Sequence, residues 1–254
     1  MRLRWVSVGW REPVQVRIEE EKDDHADRHE IHVDQENDAG VVEAPATLDA
    51  ARQELGTAAL VLPSNAGDIQ AQQTLANTIE QAFAQLDVLV VNAGIVDMRP
   101  LEKWDEAGFD RSFGINFKGP FFLIQALLPL FSNPASIVLT TSVNAHIGMP
   151  NSSIYSASKA ALLSLARTLS GELIPRGIRV NAVSPGPIET PLYGKLGLAK
   201  DDLKAMSETL TTQVPARRFG TAAEIAHAIV FFASDEAAFA VGSELLIDGG
   251  MSNL

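Results

Sequence analysis

Tyr155 and Lys159 stand four positions apart in the run Tyr155-Ser156-Ala157-Ser158-Lys159. On a helix, residues i and i+4 share a face and lie about 6 Å apart along the axis. A free tyrosine titrates at about pH 10, too high for a base at neutral pH. A cation beside it favours the phenolate and lowers that value, so the pair makes chemical sense as a tuned proton donor and acceptor. Taken alone, the motif also describes an ordinary helix with an exposed lysine. Thirteen residues before Tyr155 is Ser142, just past the apolar run Ser136–Thr140. A second apolar run, ending at Val91, is followed by Asn92-Ala93-Gly94. Gly94 would let the backbone approach a ligand closely, although by itself this stretch reads equally as a tight turn.

Regular elements must position these residues. Asp87–Val91 holds the continuous apolar run Val88-Leu89-Val90-Val91, the pattern of a parallel strand buried on both faces. Further strands are expected at 58–62, 136–140, 178–183 and 244–247. Between them helical spacing predicts helices over 47–55, 69–86, 104–131, 153–174 and 221–233. Strand–helix alternation of this kind implies a single α/β domain with a doubly wound, Rossmann-like parallel sheet. In such sheets ligands bind beyond the carboxyl ends of the strands, which is where Asn92, Ser142 and Ser184-Pro185-Gly186 fall.

Composition narrows the function classes. At 46% apolar and 20% charged residues, the 254-residue chain can build one sizeable core. It has no cysteine, which excludes disulfides and thiolate chemistry. The net charge of −12 argues against nucleic acid or an anionic membrane as partner. No apolar run of membrane-spanning length and no signal-peptide pattern is evident, so a cytoplasmic location is expected. The charge is uneven: residues 12–43 hold twelve acidic and three basic side chains, a net of −9. That break marks residues 1–46 as a separate kind of sequence from 47–254.

The stretches Val91-Asn92-Ala93-Gly94, Gly114-Ile115-Asn116, Ser142, Tyr155-x-x-x-Lys159, Asn181-Ala182-Val183-Ser184-Pro185-Gly186 and Ile247-Asp248-Gly249-Gly250 occur together in this order. The combination closely resembles the short-chain dehydrogenase/reductase family, in particular its bacterial ketoreductase and alcohol dehydrogenase group. The resemblance implies hydride transfer between NAD or NADP and a ketone or secondary alcohol. It implies that Tyr155 is the acid/base, that Lys159 holds the nicotinamide ribose and lowers the tyrosine pKa, and that Ser142 orients the substrate oxygen. Asn116 would sit in a helix irregularity and hold a relay water. Asn92, Ala93 and Gly94 would lie against the adenosine side of the cofactor. Pro185, Gly186, Ile188 and Thr190 would serve the carboxamide and nearby phosphate. Where the family usually has an aspartate against the adenine this chain has Asn65, whose amide oxygen can still accept a hydrogen bond.

The stretch Tyr193–Pro215 sits where the family keeps a substrate lid. Val143, Asn144, His146, Met149 and Tyr193 are candidates to line a pocket for a small carbonyl or alcohol substrate; for His146 an exposed loop position is an equal reading. Small residues at Ala157, Ala160, Ala161, Ser164 and Ala166 allow a close helix approach, which in this family joins copies into a homotetramer or homodimer; close packing within one subunit is the alternative.

The resemblance fails at the start. The family's first βα unit carries a TGxxxGxG turn that cradles the pyrophosphate at a helix N-terminus. Counting back from Asn92 places it near residues 10–20, which contain no glycine. The first βα unit is therefore atypical. Arg4–Trp10 and Val14–Ile18 could form short strands, and Glu19–Gly40 is polar enough to be partly disordered. His25, His29 and His32 stand among carboxylates, but a solvated acidic segment explains them and no metal is expected. The missing turn leaves a second reading open: a family member that cannot hold the dinucleotide and acts as a binding or structural subunit.

Overall fold

A computed structural model describes residues 5–9, 30–35, 53, 59–190 and 200–254. Seven parallel strands form one sheet: β1 (Trp5–Gly9), β2 (Glu30–Gln35), β3 (Ala59–Ser64), β4 (Leu86–Val91), β5 (Phe131–Thr140), β6 (Ile178–Pro185) and β7 (Glu244–Ile247). Their order is β3-β2-β1-β4-β5-β6-β7. The chain therefore winds outward from β1 to β3, then returns to the centre at β4 and winds the other way. The reversal between β1 and β4 makes the crevice beyond Gly9 and Val91 the expected ligand position. β1 matches the expected Arg4–Trp10 strand. β2 falls within the polar stretch 19–40, whose composition predicts partial disorder. Its pairing runs from Trp5↔Glu30 to Gly9↔Asp34 on one side and from Glu30↔Ala59 to Gln35↔Ser64 on the other. Two flanking ladders stabilise a polar strand that composition alone disfavours. Val14–Ile18, His25 and His29 lie outside the described residues, as does the 47–55 helix apart from Gln53; His32 lies in β2.

The helices among the described residues are α1 (Ile69–Phe83), α2 (Glu106–Phe113), α3 (Gly119–Leu127), α4 (Ser153–Leu173), α5 (Lys200–Gln213) and α6 (Ala222–Ala233). Alternate strand residues point to opposite sheet faces. Leu89, Val91, Ile137, Leu139, Val180 and Ala182 pack with Leu123, Leu127, Leu162 and Ala166 of α3 and α4. Val88, Val90, Val138 and Val183 pack with Ile225, Ala228 and Phe232 of α6. Both faces are covered, so β4 is buried along its whole length and reads as an unbroken apolar run.

The long helix expected over 104–131 is present as a continuous helical run, Glu106–Leu130, in which α2 and α3 are joined by a π turn, Gly114–Lys118, and the last turn, Leu128–Leu130, is tight. One extra residue per turn barely disturbs apolar spacing, so the π turn is invisible to periodicity. The composite stretch Glu106–Leu130 has the length and mean hydropathy, 1.2, of a membrane-crossing helix. Here that hydropathy reflects core packing: Leu123, Leu127 and Leu130 are buried against the sheet. The small-residue stripe on α4 divides. Ala166 is in the core, whereas Ala157, Ala160 and Ser164 are exposed.

Candidate active site

The site gathers at the carboxyl ends of β4, β5 and β6. α4 buries Ser158, Lys159, Leu162, Leu163, Ala166, Ser170 and Leu173, and this face brings Lys159 to the end of β5. Lys159 Nζ donates to the Thr140 carbonyl at 2.9 Å. Burial pushes the Lys159 ammonium down to about 8. Tyr155, one turn earlier, is half-buried. Burial pushes its hydroxyl up, and a hydrogen bond with Ser142 works in the opposite direction. The opposing influence at Tyr155 comes from Ser142. Lys159 is itself desolvated and turned to a backbone carbonyl, and burial dominates at both groups.

Ser142 caps the turn Val143–Ala145. Its Oγ accepts from the Asn144 amide at 3.2 Å and lies 3.5 Å from Asn144 Oδ1, to which it donates. The Asn144 side chain also donates to Ser152 Oγ at 3.3 Å and to Met149 Sδ at 3.8 Å. The serine hydroxyl is thus held by a small polar cage rather than free to rotate.

Asn116 is fully buried in the π turn. Its Oδ1 accepts from the Ile95 amide at 2.8 Å, and its Nδ2 donates to the Ile95 carbonyl and to Ser158 Oγ, both at 3.0 Å. It pins the segment after β4 to α4. Gly94 lies between them: a Cβ there would come within 3.0 Å of Lys159 Nζ and 3.3 Å of Asn116 Oδ1. Asn92 is half-buried and Ala93 buried in the same segment.

Beyond β6, the Gly186 amide donates to the Ile247 carbonyl at 3.0 Å, and a Cβ at Gly186 would meet Asp248 Cα at 2.7 Å. Pro185 ends β6 beside it. Ile188 forms a bridge with Gly220, and Thr190 is exposed. Asn65 follows β3. Its Oδ1 accepts from the Gly67 amide at 2.9 Å, so the oxygen expected to serve an adenine already shapes the turn into α1.

The structure thus brings Asn116, Ser142, Tyr155, Lys159, Gly94, Asn144 and Met149 together. His146 goes elsewhere: its Nε2 is 2.6 Å from Glu244 Oε1 on β7. Tyr193 lies outside the described residues, and of the expected lid stretch α5 is described. Sequence reasoning missed Ile95 and Thr140, because they contribute backbone atoms that leave no side-chain signal. The Thr140 hydroxyl is buried without a partner among the described residues.

The sequence matches the family described as enoyl-(acyl carrier protein) reductase over residues 37–252. An uncharacterised oxidoreductase of Thermotoga maritima is 37% identical over 216 residues, 84% of this chain and 85% of that protein. A 3-oxoacyl-[acyl-carrier-protein] reductase from the same organism is 38% identical over 175 residues, 68% of this chain and 69% of its own length. Among solved structures, a short-chain dehydrogenase/reductase of the glucose/ribitol dehydrogenase type from Brucella melitensis superposes with a TM-score of 0.81 at 27% identity. The superposition covers 98% of this chain and 96% of that one.

Proposed function

This chain belongs to the short-chain dehydrogenase/reductase family, and we propose that it is an NAD(P)-dependent oxidoreductase acting on a ketone or secondary alcohol with Tyr155 as acid/base. The observation that carries the reading is the convergence of Tyr155, Ser142, Asn116 and Lys159 around Gly94 at the carboxyl ends of β4 and β5. The residues present fit the nicotinamide end of a dinucleotide. Gly94 offers backbone with no Cβ beside the Lys159 ammonium, where an added Cβ would come within 3.0 Å of Nζ. Lys159 and Tyr155 would hold the ribose, Asn92, Ala93 and Asn65 the adenosine side, and Pro185, Gly186, Ile188 and Thr190 the carboxamide side. Such a cofactor supplies the hydride.

The chain's own residues handle the proton. With its pKa raised by burial, Tyr155 carries its hydroxyl proton at neutral pH, the form that donates to a carbonyl oxygen as charge grows there. Ser142, held by Asn144, positions that oxygen. Relatives that act on 3-oxoacyl groups make 3-oxoacyl thioesters the first substrates to try. The test is oxidation of NADH or NADPH by a panel of ketones and 3-oxoacyl thioesters, with an enoyl thioester in parallel. Parent activity on a ketone should fall about 10²–10⁴-fold in Tyr155→Phe. A variant keeping more than about a tenth of the rate, or activity on the enoyl thioester alone, overturns the assignment.

A second reading, a member impaired in dinucleotide binding, is favoured by one observation. β1 ends at Gly9, and residues 10–20, where the phosphate turn should follow, contain no glycine. We also propose a homotetramer or homodimer through the exposed Ala157, Ala160 and Ser164 face of α4. Light scattering at micromolar concentration should show it, and Ala160→Glu should shift the mass toward monomer.

A further inference from the structure

Glu244 opens β7, the edge strand, yet its side chain is only 12% exposed. An edge carboxylate that merely discourages strand pairing would point into water. This one is met by donors from three elements. His146 Nε2, at the end of the turn after Ser142, lies 2.6 Å from Oε1. Ser184 Oγ on β6 donates to the same oxygen at 2.5 Å. Arg167 on α4 reaches Oε2 at 3.5 Å. Ser184 Oγ also makes a short hydrogen-bond contact with Thr141 Oγ1, whose hydroxyl lies 3.1 Å from the Val183 carbonyl to which it donates. Thr141 is also anchored to β6 through its amide, which donates to the Val183 carbonyl at 2.8 Å.

Thr141 and His146 flank Ser142 in the chain, one immediately before it and one closing the turn that it caps. Both are connected to a single carboxylate on a strand far away in sequence. Neither the three groups on Glu244 nor Thr141 shares a hydrogen bond with Tyr155 or Lys159 among the described residues. Core packing does not demand the arrangement either, since a Leu or Val at position 244 would serve an edge strand as well.

We propose that Glu244 is a positioning residue: it straps both flanks of Ser142 to the sheet and so sets where the serine hydroxyl meets the substrate oxygen. The proposal rests on the oxidoreductase reading for its catalytic consequence, but the strap itself is a property of the fold.

Hydrogen exchange and steady-state kinetics on the full chain test it with Glu244→Ala, Glu244→Gln and His146→Ala. In Glu244→Ala the amides of Asn144, Ala145, His146 and Ile147 should exchange about tenfold faster or more, while those of β5 and the interior of α4 keep their rates. Glu244→Gln retains an acceptor oxygen for Ser184 and His146, and should bring exchange back to within about threefold of the parent. Where turnover is measurable, kcat in Glu244→Ala should fall about tenfold with substrate KM changed less than about twofold, the signature of misplacement rather than lost binding. Should Glu244→Ala fail to fold, His146→Ala removes one strut at a loop side chain that is 27% exposed and reads the same amides. Unchanged exchange at 144–147 in the folded variants overturns the strap, whatever the enzyme does. Faster exchange with unchanged kcat in an active enzyme overturns its positioning role. A parent that oxidises neither NADH nor NADPH sinks the oxidoreductase reading, and the exchange result still decides the strap.

Discussion

β4 to β6 and β1 to β2 belong to one sheet but are made of different kinds of sequence. β4 is apolar at nearly every position and buried throughout, and the turns beyond β4, β5 and β6 carry Gly94, Ser142 and Gly186. β2, Glu-Ile-His-Val-Asp-Gln, is polar at alternate positions and sits in the acidic segment. Sequence similarity to the family begins at residue 37, whereas the structural likeness covers 98% of the chain. Strand pairing needs little more than extended backbone between two ladders. A phosphate turn needs particular residues, because backbone amides must approach an anion without a Cβ in the way. The comparison teaches that a sheet position can persist where the chemistry attached to it does not.

The largest expected effect breaks the comparison at its weakest point. The parent should bind NADH and NADPH more weakly than about 10 µM in calorimetric titration, since residues 10–20 offer no glycine, Pro13 lacks an N–H, and Glu12, Glu19 and Glu20 add like charge. Replacing residues 10–20 with a TGxxxGxG-bearing turn should tighten binding about a hundredfold. Low-micromolar binding by the parent would show that the N-terminal segment builds a phosphate site of another kind.

How much of this was legible in the sequence follows the same division. The catalytic constellation could be read because each member is a distinctive side chain at a fixed distance from a strand end, as with Ser142, Tyr155 and Lys159. β4 and β6 could be read because burial on both faces forces an apolar run. β2 could not, since its stability comes from neighbours 25 or more residues away in the chain and its own composition opposes it. The π turn at Asn116 was hidden from periodicity, and Ile95 and Thr140 act through backbone. His146 could not be placed because its partner, Glu244, lies 98 residues away.

A smaller effect sharpens the site half. Lys159 keeps its proton up to about 8 in the folded chain, against an ordinary 10.5. Below pH 8 both folded and unfolded states hold the proton, and the fold bears the full cost of a buried charge. As pH rises from 8 to 10.5 the folded state loses it first and that cost fades, so this group's contribution to stability rises with pH. Lys159→Met has no such group. The unfolding free energy of the parent relative to Lys159→Met should therefore rise by about 1–3 kcal/mol across that window, as measured by urea denaturation at a series of pH values. A flat difference would mean that Lys159 is better solvated than its 4% exposure implies.

The smallest expected change in activity, at Gly94, separates a glycine kept for the site from one kept for the fold. At Gly94 an added Cβ meets the tip of Lys159 at 3.0 Å, the end of a flexible side chain that can move by a few tenths of an ångström. Gly94→Ala should fold with near-parent stability and lose only about threefold to tenfold in kcat/KM, because the lysine gives way and drifts from the Thr140 carbonyl. At Gly119 the added Cβ would fall on the Ala66 carbonyl oxygen, and backbone on both sides has nowhere to go. Gly119→Ala should cost about 3 kcal/mol or more in urea denaturation. If the two variants were equally destabilised, Gly94 would be a packing glycine, and the open backbone beside Lys159 would lose its standing as part of the cofactor cleft.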